Sequence, residues 1–85
     1  MSVGAVAPAR RELFVRHARK DGRSVAVLRA VEDGGACRVE TEVFPADSGH
    51  AKSSSCEFAD VRAATAFVTE AVEALMYLGC DVQAE

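Results

Sequence analysis

Residues 10–43 read RRELFVRHARKDGRSVAVLRAVEDGGACRVETEV, and the reading of this stretch decides the fold. Its third segment is the plainest. Cys37, Val39, Thr41 and Val43 alternate with Arg38, Glu40 and Glu42, the period-two pattern of a strand with one buried face and one wet face. Asp33-Gly34-Gly35 stands just before it and marks a turn. Upstream of that turn, Ser24 to Val31 sets Val25, Val27, Arg29 and Val31 against Ala26, Leu28 and Ala30. Its β-branched content favours a strand, and both faces are apolar enough for a central position.

Lys20-Asp21-Gly22-Arg23 precedes this second run, and Asp-Gly between alternating segments is a hairpin signal. The first run, Arg10 to Arg19, sets Leu13, Val15 and His17 against Phe14, Arg16 and Ala18. Three strands joined by short turns make a meander. Residues 1–9, MSVGAVAPA, carry no periodicity and read as a flexible leader.

Pro45 closes the third strand, and residues 45–55, PADSGHAKSSS, read as a loop, with 48–55 taken as a plain linker. A short fourth strand is expected over 54–58, with Cys56 and Phe58 facing inward. Asp60 then opens a helix as its N-cap, because its carboxylate accepts N–H bonds that the first turn leaves unpaired. Val61, Ala64, Phe67, Val68, Ala71, Val72, Leu75 and Leu78 recur at three- and four-residue steps. Gly79 suits the left-handed position after the helix, and residues 81–85 are expected as a frayed acidic tail.

The expected fold is a single α+β domain over residues 10–80. It is a three- or four-stranded antiparallel β-meander with one C-terminal α-helix packed across one face. The expected core is Leu13, Val15, Val25, Val27, Val39, Val43, Phe58, Val61, Val68, Val72 and Leu75. The face away from the helix is then expected to carry Arg16, Arg38, Glu40 and Glu42.

Bulk properties narrow the function. At 85 residues the chain has room for one core and little room for a deep cleft, which disfavours an enzyme. No apolar run approaches the roughly 20 residues that cross a bilayer, so no membrane role is expected. Three cysteines, an odd number, fit a disulfide scaffold poorly, and no secretory signal is visible. A cytoplasmic protein with reduced thiols is the simplest reading.

Net charge is −3, but unevenly spread. Residues 1–30 carry seven basic and two acidic side chains, and residues 31–85 carry three basic and eleven acidic ones. This asymmetry marks either a basic binding face or two regions that neutralise each other within the fold or across a dimer.

Chemical motifs are sparse. Cys37 or Cys56 with His17 or His50 would be a nucleophile and its base, but both cysteines sit where small core side chains are expected. Cys37, His50 and Cys56 lack the close paired spacing of a zinc site. Gly34-Gly35 lacks the lysine and the strand–loop–helix setting of a phosphate loop. Glu40 and Glu42 share a strand face, where pairing with Arg16, Arg29 or Arg38 explains them better than acid–base catalysis does. No cofactor or metal is expected.

These observations lead to a small non-enzymatic interaction module, an accessory or regulatory homodimer. Its partner-binding residues are expected to be Phe14, Arg16, Arg19, Lys20, Arg23, Arg38 and Phe44, on the first hairpin and the outer sheet face. The alternative is a single-stranded nucleic-acid-binding protein using the same surface, where aromatics stack bases and basic groups track phosphates. The low aromatic content and the acidic balance weigh against it.

Overall fold

A computed structural model describes residues 10–46 and 49–85, so the leader read over residues 1–9 lies outside the described residues. Strands β1 (Arg10–Lys20), β2 (Arg23–Asp33), β3 (Ala36–Val43) and β4 (Lys52–Phe58) are followed by helix α1 (Val61–Tyr77) and strand β5 (Asp81–Ala84). The five strands form one antiparallel sheet in the order β4-β3-β2-β1-β5, with α1 on one face. The α+β meander with a C-terminal helix is therefore present, with a fifth strand added at its edge.

Two-residue turns set the meander. Lys20 pairs with Arg23 around Asp21 (φ 54°) and Gly22 (φ 77°), and Asp33 pairs with Ala36 around Gly34 and Gly35. Positive φ at both central residues suits the right-handed twist of a hairpin, which is why Asp-Gly stands at the first turn. Asp60 caps α1 by accepting a hydrogen bond from the Ala63 N–H at 2.9 Å. At the other end Gly79 N–H reaches the Met76 carbonyl and Cys80 N–H the Leu75 carbonyl, a Schellman closure.

The register corrects the expected core. Ala30 pairs with Val39 and Leu28 with Thr41, so Ala26, Leu28 and Ala30 lie on the helix face of β2, and Val25 and Val27 lie on the opposite face. Leu28, Ala30, Cys37, Val39, Ala64 and Val68 form the central cluster, with Leu13, Phe14, Phe58, Ala71, Val72 and Leu75 packed round it. Val43 and Val61 are 40% and 41% exposed and are not core residues. Cys56 shares a face with Phe58 but is exposed.

Strand β1 carries the larger correction. It is bulged between Glu12 and Phe14 and between Ala18 and Arg19. Between those bulges Phe14 pairs with Ala30, Arg16 with Leu28 and Ala18 with Ala26. Arg16 and Phe14 therefore lie on the helix face, not on the outer face. Val15 is buried, but on the outer face with Val31. The cross-strand neighbours of these two valines are Arg29, Glu12 and Arg38.

Two further segments differ from expectation. Strand β4 begins at Lys52, so the latter half of the stretch read as a linker is sheet. The acidic tail is not frayed: Asp81–Ala84 form β5 along the free edge of β1.

Candidate interaction surfaces

The outer sheet face is a lattice of opposite charges. Arg10 donates two hydrogen bonds to the Glu40 carboxylate, at 2.8 and 2.6 Å. Arg29 pairs with Glu12 at 2.8 Å, and Arg38 pairs with Asp33 at 2.9 Å and approaches Glu40 at 3.8 Å. The hydrogen bond from Arg10 is the main cause that holds the Glu40 carboxyl below the ordinary carboxylate range, and it raises the Arg10 pKa in turn. The basic N-terminal region and the acidic remainder thus neutralise each other within the fold, at Arg10–Glu40 and at Arg11–Glu32.

Beside this lattice, a shallow depression of about 430 Å³ over β3 and β4 is lined by Val27, Arg29, Glu40, Glu42 and Ser53–Ser55. Arg38 is committed to this face and to its carboxylates.

Phe14 and Arg16 sit elsewhere. Helix α1 packs against all five strands and buries fully only Ala64 and Val68. A groove of about 510 Å³ is left between α1 and β1, lined by Leu13, Phe14, Val61, Thr65, Val68, Thr69 and Val72, with Arg16 and Glu73 also on its walls. The Arg16 guanidinium lies 5.0 Å from the centre of the Phe14 ring and donates to the Val15 carbonyl at 2.9 Å. Three arginines are half-buried, at positions 16, 29 and 38. Arg29 and Arg38 each hold a carboxylate, whereas Arg16 has none within ion-pair distance among the described residues.

The end of the first hairpin forms a third region. Lys20, Arg23 and Phe44 line one recess of about 190 Å³ with Asp21, Ser24, Val25 and Ala46. Phe44 N–H bonds to the Val25 carbonyl at 2.9 Å, which fixes the chain just beyond β3. Lys20 Nζ donates to the Leu78 carbonyl at the helix C-terminus, and Arg23 reaches the Ala46 carbonyl at 3.4 Å. Arg19 is exposed beside them.

The structure therefore divides the expected partner-binding residues into three groups. Arg19, Lys20, Arg23 and Phe44 adjoin at the hairpin end, Phe14 and Arg16 line the groove, and Arg38 stands apart on the outer face. Groove residues Val61, Thr65, Thr69 and Val72 were not foreseen as a site. Their three- and four-residue spacing shows that they share a helix face, but the path of α1 over the sheet is needed to place β1 opposite them.

The thiols and imidazoles are also separated. Cys37 is buried under the helix, whereas His17 is on the outer face, held by Glu85 at 2.6 Å and Ser24 at 2.9 Å. All three cysteines are free thiols. No group of three or more His, Cys, Asp or Glu side chains that could hold a metal occurs among the described residues. No helix among the described residues is long and apolar enough to cross a membrane. No family model, curated protein or solved structure matches the chain.

Proposed function

We propose that this protein is a small cytoplasmic, non-enzymatic interaction module that works as a homodimer and binds a protein segment in the groove between α1 and β1. The observation that carries the reading is Arg16: a half-buried cation over the Phe14 ring that has no carboxylate within ion-pair distance among the described residues, in a largely apolar groove whose one acid is Glu73. A buried or half-buried charge is stabilised most by a hydrogen-bonded partner of opposite sign. Leu13, Phe14, Val61 and Val72 would take apolar side chains of the same segment. Glu73 on the helix wall repels a second acid, so the fitting segment carries one carboxylate among apolar residues.

The test is affinity capture from the native lysate with the wild type, Arg16→Glu and, as a control on a surface outside the groove, Arg62→Glu. The expected result is a partner that is retained by the wild type and by Arg62→Glu and lost with Arg16→Glu. Retention of the same partner by Arg16→Glu overturns the groove as its binding site.

The hairpin end supports a second reading, single-stranded nucleic-acid binding, because Arg19, Lys20, Arg23 and Phe44 adjoin there. The outer sheet face adds little to it, since its arginines are already matched by Glu12, Asp33 and Glu40. A backbone-amide NMR titration with a mixed-sequence oligonucleotide tests this reading. Shifts at Arg19–Arg23 that vanish as salt rises favour it, since phosphate contacts release counterions. A flat titration rejects it.

A further inference from the structure

Strand β4 is one of the two edges of the sheet, and it is the less defended one. All its residues are exposed except Phe58, which is half-buried. Among the described residues, no strand lies beside its outward backbone N–H and C=O groups. Sheet edges are ordinarily blunted by charged side chains, proline, a bulge or shortness, and on β4 the charges stand only towards the ends, at Lys52 and Glu57. Strand β4 has seven residues, contains no proline, and pairs with β3 in unbroken register from Lys52 to Phe58. Its centre is Ser53-Ser54-Ser55-Cys56, small side chains that let another strand approach. The opposite edge, β5, has only four residues.

We propose that β4 is the pairing edge of a twofold dimer, in which β4 of one copy adds antiparallel to β4 of a second copy and continues the sheet to ten strands. This deepens the homodimer part of the function proposed above and rests on it. A twofold axis perpendicular to the sheet keeps both helices on one side, and it requires opposed residues to share a face. The register centred on Ser55 satisfies this and pairs all seven residues.

On the helix side this register sets Lys52 of each copy opposite Phe58 of the other, and Ser54 opposite Cys56. Phe58 already meets Phe67 at 5.2 Å between ring centroids, and Phe67 remains 39% exposed. The stem of Lys52 covers these rings and its ammonium lies against them. On the other side Glu57 faces Ser53 and Ser55 faces its own copy, so no like charges are opposed. The edge is complementary to itself, which is what selects a second copy over an unrelated strand.

The experiment combines analytical ultracentrifugation with disulfide trapping by diamide, which takes two electrons and two protons from each pair of thiols joined. Four proteins are compared: the wild type, Ser54→Cys, Ser53→Cys and Ser55→Lys. The expected wild type is a dimer that diamide does not link through β4, because Cys56 faces Ser54. Ser54→Cys is expected to trap as a covalent dimer through native Cys56, and Ser53→Cys is not, because position 53 faces Glu57. Ser55→Lys places two ammonium groups across the axis and is expected to weaken the dimer about two- to fivefold, with unchanged circular dichroism.

Several outcomes overturn the proposal. A dimer that Ser55→Lys does not weaken while Ser54→Cys fails to trap places the contact elsewhere; β4 pairing falls and the homodimer stands. Trapping through Ser53→Cys in place of Ser54→Cys overturns the register. A wild type that is monomeric throughout overturns both the edge and the homodimer, and leaves the groove to its own test.

Discussion

Arg10 on β1 holds Glu40 on β3 with two hydrogen bonds, at 2.8 and 2.6 Å, although β2 lies between their strands. The pair therefore ties three strands together on the outer face. It also makes stability depend on acid. Hydrogen bonding by Arg10 lowers the Glu40 pKa in the folded chain, and burial opposes this only in part.

A carboxyl with a lowered folded pKa stabilises the fold above its unfolded value, about 4.3 for glutamate. That contribution is lost as pH falls through the lower, folded value. The wild type should therefore lose more stability than Glu40→Gln when pH is taken from about 6 to about 3. Urea unfolding at the two pH values measures this. Equal losses would show that Glu40 takes no part in the acid sensitivity.

The second prediction concerns burial on the helix face of the sheet. Leu28 is 2% exposed within the central cluster, and Val43 is 40% exposed at the end of β3. Leu28→Ala should cost about 2–5 kcal/mol, enough to threaten so small a domain. Val43→Ala should cost no more than about 1 kcal/mol. Chemical denaturation of the two variants separates them, and similar costs would contradict the observed burial.

Much of the sheet register could have been read from the sequence, although the expected core took Val25 and Val27 instead. Cys37 and Val39 were read on the buried face of β3. A two-residue turn at Gly34-Gly35 then makes odd positions on β3 face even positions on β2, which gives Ala30 and Leu28. Strand β1 did not yield to the same counting. An unbroken hairpin around Asp21-Gly22 would set Val15 opposite Leu28. The irregularity between Ala18 and Arg19 moves the pairing by one residue and sets Arg16 there instead. A one-residue shift exchanges the faces, and nothing in the alternation of β1 announces it. For this reason Phe14 and Arg16 were correctly placed on one face and assigned to the wrong side of the sheet.

The third prediction lies at the helix C-terminus. Gly79 has φ 93°, and a Cβ there would meet Lys20 Cε at an ordinary 3.5 Å. The cost of Gly79→Ala is therefore backbone strain in the Schellman turn, about 1 kcal/mol. Lys20→Met keeps the packing but removes the ammonium that bonds to the Leu78 carbonyl, and should cost less, about 0.3–1 kcal/mol. Thermal unfolding ranks the two, and a larger loss for Lys20→Met would reverse this account of the cap.

The candidate surfaces were less legible than the fold, for identifiable reasons. Arg19, Lys20 and Arg23 follow from proximity to one turn. Arg38 looks available in the sequence because its partners, Asp33 and Glu40, act across the sheet and along it. The α1–β1 groove depends on where the helix lies over the sheet, and no local pattern encodes that placement.

Strand β5 gives the last prediction. Asp-Val-Gln-Ala is short and half polar, so it resembles a tail. In the fold, Val82 pairs with Ala18, which is fully buried, and Glu85 N–H bonds to the Val15 carbonyl at 3.1 Å. The Glu85 carboxylate also reaches His17, whose second nitrogen meets Ser24 on β2. Removing residues 81–85 would bare the edge of β1, uncover Ala18 and Val15, and strip α1 of a strand it packs against. Truncation after Cys80 should lower Tm by at least about 5 °C and speed hydrogen exchange along β1. A frayed tail would leave both unchanged, so this truncation tests whether the sheet has five strands or four.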